Sequence, residues 1–251
     1  MEYRIGFLME LLANAIMLLV YYLGIWVMFS QFDNIMGWKY NEILLLFNLN
    51  WFCYSLSGFF LWAPMLNMGE YVRSGEFDGF LIRPMNTLIY LIFRQFQYTF
   101  SVRCIMAFLF LVYSICNLKI IYNINDILFV IGMILSGVLF YVGLLIIIGS
   151  ISFWTIKNEE IGGVLIDNDS GLRTFTDYPL TIYNNKIQIL LITIVPVAFV
   201  NFFPIAHLLK KSFGIWDEKI YMLSPVISIL VFCLACILWK RGMKKYNSTG
   251  T

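Results

Sequence analysis

The sequence predicts an all-α integral membrane protein with six transmembrane helices, and three observations predict it. Of 251 residues, 61% are hydrophobic and only 13% charged, against about 45–50% and about 25% in a soluble domain. The mean hydropathy is +0.80. Apolar runs recur along the whole chain at lengths near the ~20 residues that a helix needs to cross a hydrocarbon core of about 30 Å. A soluble fold of this length would need a polar shell that this composition cannot build. The bilayer is the solvent that such a chain suits.

The expected spans are Ile5–Phe29, Asn41–Pro64, Phe96–Ile121, Ile127–Trp154, Ile187–Pro204 and Tyr221–Trp239, within one transmembrane domain over residues 1–251. The first is too long for the apolar core of a signal peptide, contains Glu10 and lacks a following small-residue cleavage site, so it is expected to stay as a membrane helix. The fifth is the shortest and runs into Asn201-Phe202-Phe203-Pro204, where proline interrupts the helical ladder. The stretch Asn201–Lys219 mixes apolar residues with Lys210, Lys211, Asp217 and Glu218, which predicts short re-entrant or interfacial helices on the outer side.

Lys and Arg distribution sets the expected orientation. With the N-terminus inside, Arg4, Arg73, Arg83, Arg94, Lys157, Arg173, Lys186, Lys240, Arg241, Lys244 and Lys245 fall in inner segments. Lys39, Lys119, Lys210, Lys211 and Lys219 fall outside. The segments 65–95 and 155–186 are then cytoplasmic, as are both termini. The seven tryptophans fall mostly toward span ends, as an interfacial belt predicts.

Few catalytic chemistries fit. The chain has no G-x-x-x-x-G-K-[ST] phosphate loop, no H-E-x-x-H and no G-x-S-x-G. His207 is the lone histidine, and Cys233-x-x-Cys236 sits in an apolar run with no second pair, so no metal ligand set is expected. A net charge of +2 leaves no nucleic-acid footprint. Glu10 and Arg103 fall near span starts, within snorkelling reach of the inner face, which favours structural roles.

Residues 69–85 hold the strongest local pattern. Arg73, Glu76 and Asp78 alternate with apolar residues, and Phe77, Phe80 and Leu81 have the i, i+3, i+4 spacing of one helical stripe. On periodicity alone this is an amphipathic helix lying on the inner leaflet, or else a helix inserted into a cytoplasmic partner.

The run Gly75-Glu76-Phe77-Asp78-Gly79-Phe80-Leu81-Ile82-Arg83-Pro84 resembles the G-E-L-D-x-x-L-L-R-P signature of a bacterial ABC-transporter permease family of the ABC-2 type. Ser152-Phe153-Trp154, Tyr178-Pro179-Leu180 and the run from Val195 to Pro204, similar to the family's P-x-A-F-V-N-Y-Y-P element, follow in family order. The resemblance implies a permease subunit in the bacterial plasma membrane, exporting a hydrophobic or amphipathic compound such as a drug, toxin, peptide or lipid. It implies ABC ATPase partners that carry the ATP and magnesium, and a second permease that is a sister chain rather than a second copy. The chain itself would bind lipid, no cofactor and no metal, and would not be an enzyme. It further implies an ATPase-coupling helix with Arg73, Glu76, Asp78 and Arg83 as polar contacts and Phe77 and Phe80 as anchors, and an outer re-entrant element marked by Pro196, Asn201 and Pro204. A lipid-modifying membrane enzyme and a non-transporting scaffold or immunity protein are the alternatives.

Overall fold

The computed structural model describes residues 2–118, 123–155, 158–167 and 171–247. Lys119, Lys157 and Asp169, and the side chain of Arg4, lie outside this description. The described residues form eleven α-helices joined by turns and short 3-10 segments. Five long helices carry the architecture: α1 (Glu2–Gln31), α2 (Tyr40–Leu66), α6 (Thr99–Leu118), α7 (Ile124–Ile151) and α11 (Leu223–Lys245). Each belongs to a helical segment long and apolar enough to cross a membrane. At 1.5 Å per residue, α2 alone is roughly 40 Å long.

Local chemistry sets where these helices begin. The Glu42 carboxylate accepts the Lys39 amide at 2.7 Å and opens α2; Asp126 accepts that of Asn123 at 3.0 Å and opens α7. Between α1 and α2, Ile35 and Trp38 exchange both backbone hydrogen bonds at 2.9 Å. The two residues between them, Met36 and Gly37, take positive φ of 51° and 82°, as a tight two-residue turn requires.

The hub is α2, packed between α6 and α7, with α11 on the far side of α7. Small residues allow the close approach. A Cβ at Gly143 would lie 3.1 Å from the backbone of Phe232, and one at Gly58 would lie 2.4 Å from the Phe100 ring. Without water between helices, such packing supplies much of their association. By contrast α1 is mostly exposed along its length.

Two ends of the bundle can be defined along α2. At the Leu66 end lie α3 (Met68–Arg73), α4 (Glu76–Leu81) and α5 (Thr87–Arg94). The other end is the Tyr40 end.

The fifth apolar run departs from expectation. Instead of one helix over Ile187–Pro204, it forms α9 (Asn185–Thr193) and α10 (Phe202–Leu208), joined through a 3-10 turn at Val197–Phe199 and bent by 81°. Both ends of this pair lie at the Tyr40 end. Gln188 accepts the Trp216 indole N–H at 3.1 Å, and beyond α10 the Lys211 ammonium lies 2.8 Å from Glu42 and 2.7 Å from the Gly37 carbonyl. The preceding segment therefore traverses the bundle. It begins at the Leu66 end, where the Asn158 side chain at the start of α8 (Asn158–Ile166) donates to the Met65 and Leu66 carbonyls at 2.8 and 2.9 Å. It continues through a 3-10 stretch, Leu172–Asp177, and brings Thr181 beside Gly214 at the Tyr40 end.

This corrects the reading of residues 155–186 as a loop confined to one face. Arg173 is 0% exposed, inside the bundle, and Lys186 opens α9 at the Tyr40 end. Hydropathy misses the traverse because it scores Arg173 and Asp177 as separate charges, whereas they pair with each other inside the bundle.

Candidate functional site: a socketed elbow and a buried polar network

The elbow at the Leu66 end is built on α4. Gly75, at φ +76°, turns the chain between α3 and α4, a conformation that suits a residue without a Cβ. Phe77 then points inward and is 0% exposed. Its ring meets Phe153 just past α7 at 5.2 Å, Trp239 on α11 at 6.3 Å and Tyr246 at 5.0 Å, all edge to face. Phe80 is also buried, against Tyr71 and Tyr90.

The expected partner anchors are therefore spent within the chain. The i, i+3 stripe is real, but its socket is supplied by the ends of α7 and α11. The Arg94 guanidinium covers Phe80 and Tyr71 at 4.4 and 4.9 Å and pairs with Glu76. Asp78 lies beside the Tyr246 hydroxyl, and burial together with this carboxylate pushes the phenol up to about 12.

The outward surface falls to other residues. Arg73, Leu81, Arg83, Pro84 and Met85 are exposed, and Ile82 is 84% exposed. The elbow thus carries an apolar tip, Leu81, Ile82 and Met85, flanked by two arginines. Ile82 and Met85 lie beyond the end of the helical stripe at Leu81, and nothing in the sequence alone marks them as the tip.

A second constellation lies midway along α2. The Asp177 carboxylate accepts from the Asn50 amide at 2.8 Å, the Trp51 indole at 3.3 Å and the Arg173 guanidinium at 3.4 Å. Arg173 lies over the Trp51 and Tyr54 rings at 4.6 and 4.5 Å. The Tyr141 hydroxyl of α7 donates to Asn50 at 2.5 Å. Asn201 joins the group from the bend between α9 and α10, donating to the Thr176 carbonyl at 2.6 Å. Such groups are tolerated in an apolar interior because each finds a partner.

Asn201 and Pro204 are buried, and the turn from Pro196 to Val200 packs into the bundle core. Arg103 is largely buried beside the Phe100 ring and the more distant Trp51 ring, at 5.3 and 6.0 Å. Glu10 lines a surface cleft with Phe7, Arg94 and Tyr98. The structure thus gives these two charged residues different surroundings. Arg173 and Asp177 are the residues that sequence reasoning missed. Their i, i+4 spacing and the two asparagines, Asn48 and Asn50, in an apolar run were the available signals.

An all-helical bundle of membrane-spanning length, a polar network sealed within it and a helical elbow socketed under its basic end define a multi-pass membrane protein. Residues 15–250 match the family described as ABC-2 family transporter protein, and the chain belongs to that family. Its members are membrane subunits of ABC transporters that work with ABC ATPase subunits and are not themselves catalytic. Comparison with curated proteins and with solved structures gave no match.

Proposed function

We propose that the chain is the permease subunit of an ATP-driven exporter of a hydrophobic or amphipathic compound, and that its elbow receives force from a separate ATPase. The observation that carries this reading is the two-sided elbow. Outward it offers Ile82, Leu81 and Met85 between Arg73 and Arg83. Inward it is plugged by Phe77 into a socket shared by the ends of α7 and α11. A push on the tip moves both helices together, because a close-packed aromatic cluster transmits displacement rather than absorbing it. Leu81, Ile82 and Met85 replace Phe77 and Phe80 as the residues buried against the ATPase, and Arg73 and Arg83 supply rim charges that steer docking.

The basic Leu66 end, with Arg73, Arg83, Arg94, Arg241, Lys244 and Lys245, is the cytoplasmic face of a bacterial plasma membrane by the positive-inside rule. ATP and magnesium belong to the partner ATPase. A sister permease completes the path. A cavity of about 250 Å³ lined by Tyr21, Phe47, Phe175, Tyr178 and Tyr183 beside Asp177 supports an amphipathic passenger.

The test is affinity isolation from native membranes. The wild-type chain should bring down an ABC ATPase, and Ile82→Asp should reduce that yield at least tenfold with unchanged thermal unfolding. Full retention of the ATPase by Ile82→Asp would overturn the assignment of the tip.

A further inference from the structure

Two cavities at the Tyr40 end meet at Phe129. One, of about 470 Å³, carries charged side chains at its edge and is bounded by Asp126 at the start of α7, His207 at the end of α10, Lys210, Lys211 and Glu218. The other, of about 230 Å³, is apolar and runs along α7 past Leu128, Gly132 and Met133, with Pro204 and Pro225 opposite. From Asp126 to Ser136, which lines the far end, α7 rises roughly 15 Å, comparable to the distance from a lipid headgroup well into its acyl chains. An aromatic cluster marks their junction. Phe129 meets His207 at 5.5 Å and Tyr221 at 6.0 Å, and His207 stacks on Tyr221 at 3.6 Å.

The charged compartment holds both signs. Lys211 is engaged by Glu42 and the Gly37 carbonyl. Lys210 is exposed and held at a positive φ of 53°. Asp126 is engaged at the Asn123 amide, and Glu218 stands against Lys210. One lysine facing one carboxylate suits a group that pairs a phosphate with an ammonium.

The apolar compartment carries two further signs of an occupant. A Cβ built on Gly132 would meet nothing within 4 Å, so the groove is open there. Ser224 is 4% exposed and lines the groove, yet its hydroxyl has no hydrogen-bond partner among the described residues. Buried hydroxyls are ordinarily satisfied.

We propose that this paired site holds one zwitterionic aminophospholipid. Its phosphate lies at Lys210 and its ammonium at Glu218. One acyl chain follows Leu128, Gly132 and Met133, and a glycerol ester carbonyl accepts from Ser224. The proposal is independent of the ATPase reading, since it needs neither a motor nor transport.

Native mass spectrometry of the detergent-purified chain tests it, with phosphatidylethanolamine, phosphatidylglycerol or soluble glycerophosphoethanolamine added. The wild type should retain one phosphatidylethanolamine at least tenfold better than phosphatidylglycerol, and the soluble headgroup should not displace it at equal concentration. Gly132→Phe, which fills the groove, should lower retention at least tenfold. Glu218→Lys, on the exposed rim, should shift the preference toward phosphatidylglycerol at least threefold, which keeps the test decisive should Gly132→Phe fail to fold. Equal retention of both lipids by the wild type, an unchanged preference in Glu218→Lys, or undiminished retention by a folded Gly132→Phe would overturn the proposal.

Discussion

Replacing Asp177 by alanine should be among the most damaging single changes in the chain. The carboxylate takes hydrogen bonds from Asn50, Trp51 and Arg173 at 2.8, 3.3 and 3.4 Å. Its removal strands a guanidinium that is 0% exposed and takes an acceptor from two buried N–H groups. An orphaned neutral donor costs about 1–3 kcal/mol, and breaking a buried ion pair from one side costs about 3–5 kcal/mol. The lost bonds belong to one network and do not add, so the larger range applies: about 3–5 kcal/mol. At 1.4 kcal/mol per factor of ten, the folded-to-unfolded ratio should fall by roughly two to three and a half orders of magnitude. The assay is thermal or denaturant unfolding in nanodiscs, followed by tryptophan fluorescence, for which Trp51 is a reporter inside the network. The double variant Arg173→Met/Asp177→Leu removes both charges and keeps volume, so it should recover most of the loss. An Asp177→Ala chain within about 1 kcal/mol of wild type would refute the reasoning, as would a double variant no more stable than the single one.

Four further outcomes follow from the same geometry. Phe77→Ala should cost about 3–5 kcal/mol by emptying the socket formed by Phe153, Trp239 and Tyr246, read as unfolding of the isolated chain without any ATPase present. Gly58→Leu should destabilise by at least 1–3 kcal/mol, since even a Cβ would sit 2.4 Å from Phe100; unfolding of this variant beside Gly79→Ala, where a Cβ meets nothing within 4 Å, provides the comparison. Tyr246 ionises near 12, its neutral form favoured by burial and by Asp78. The stability this contributes is whole below the unfolded value near 10 and is lost as pH rises toward 12; Tyr246→Phe should delete one late-ionising phenol from the ultraviolet titration, and Asp78→Asn should move it earlier. Glu42→Gln should weaken the tie between the chain beyond α10 and the start of α2, where Lys211 lies 2.8 Å away and 24% exposed. Glu42 is the more buried partner, at 11%, so losing the pair should cost more than the ~0.2–1 kcal/mol of an exposed one; hydrogen exchange over residues 209–213 should rise, and global unfolding should move measurably to lower stability.

Hydropathy made most of the fold legible. The long greasy runs fall on the long helices α1, α2, α6, α7 and α11, because a span must satisfy its backbone internally and present apolar side chains all round. The traverse through Leu172–Asp177 was not legible. Its two charges, Arg173 and Asp177, pair with each other four residues apart, and the carboxylate is completed by Asn50 and Trp51, more than a hundred residues earlier; hydropathy scores each residue without its partners. The same distance effect hid the fate of Phe77. Periodicity placed Phe77 and Phe80 on one face, but the choice between an internal socket and a partner groove depended on Phe153, Trp239 and Tyr246. The sharp bend between α9 and α10 was partly legible in Pro196 and Pro204, which interrupt the helical ladder. The tip at Ile82 was not, since an exposed isoleucine after the end of a stripe carries no signal until the stripe is seen to face inward.

In the proposed transporter the elbow at the Leu66 end touches a motor subunit. Site-directed cross-linking in native membranes measures this most directly, with Ile82→Cys at the elbow and Ile215→Cys as the exposed control at the opposite end, each in a background lacking the five native cysteines. Ile82→Cys should trap an ABC ATPase, with a yield that changes when a non-hydrolysable ATP analogue is added, and Ile215→Cys should trap none. Cross-linking of the ATPase to Ile215→Cys, or its absence at Ile82→Cys while the two proteins still co-purify, would contradict that contact.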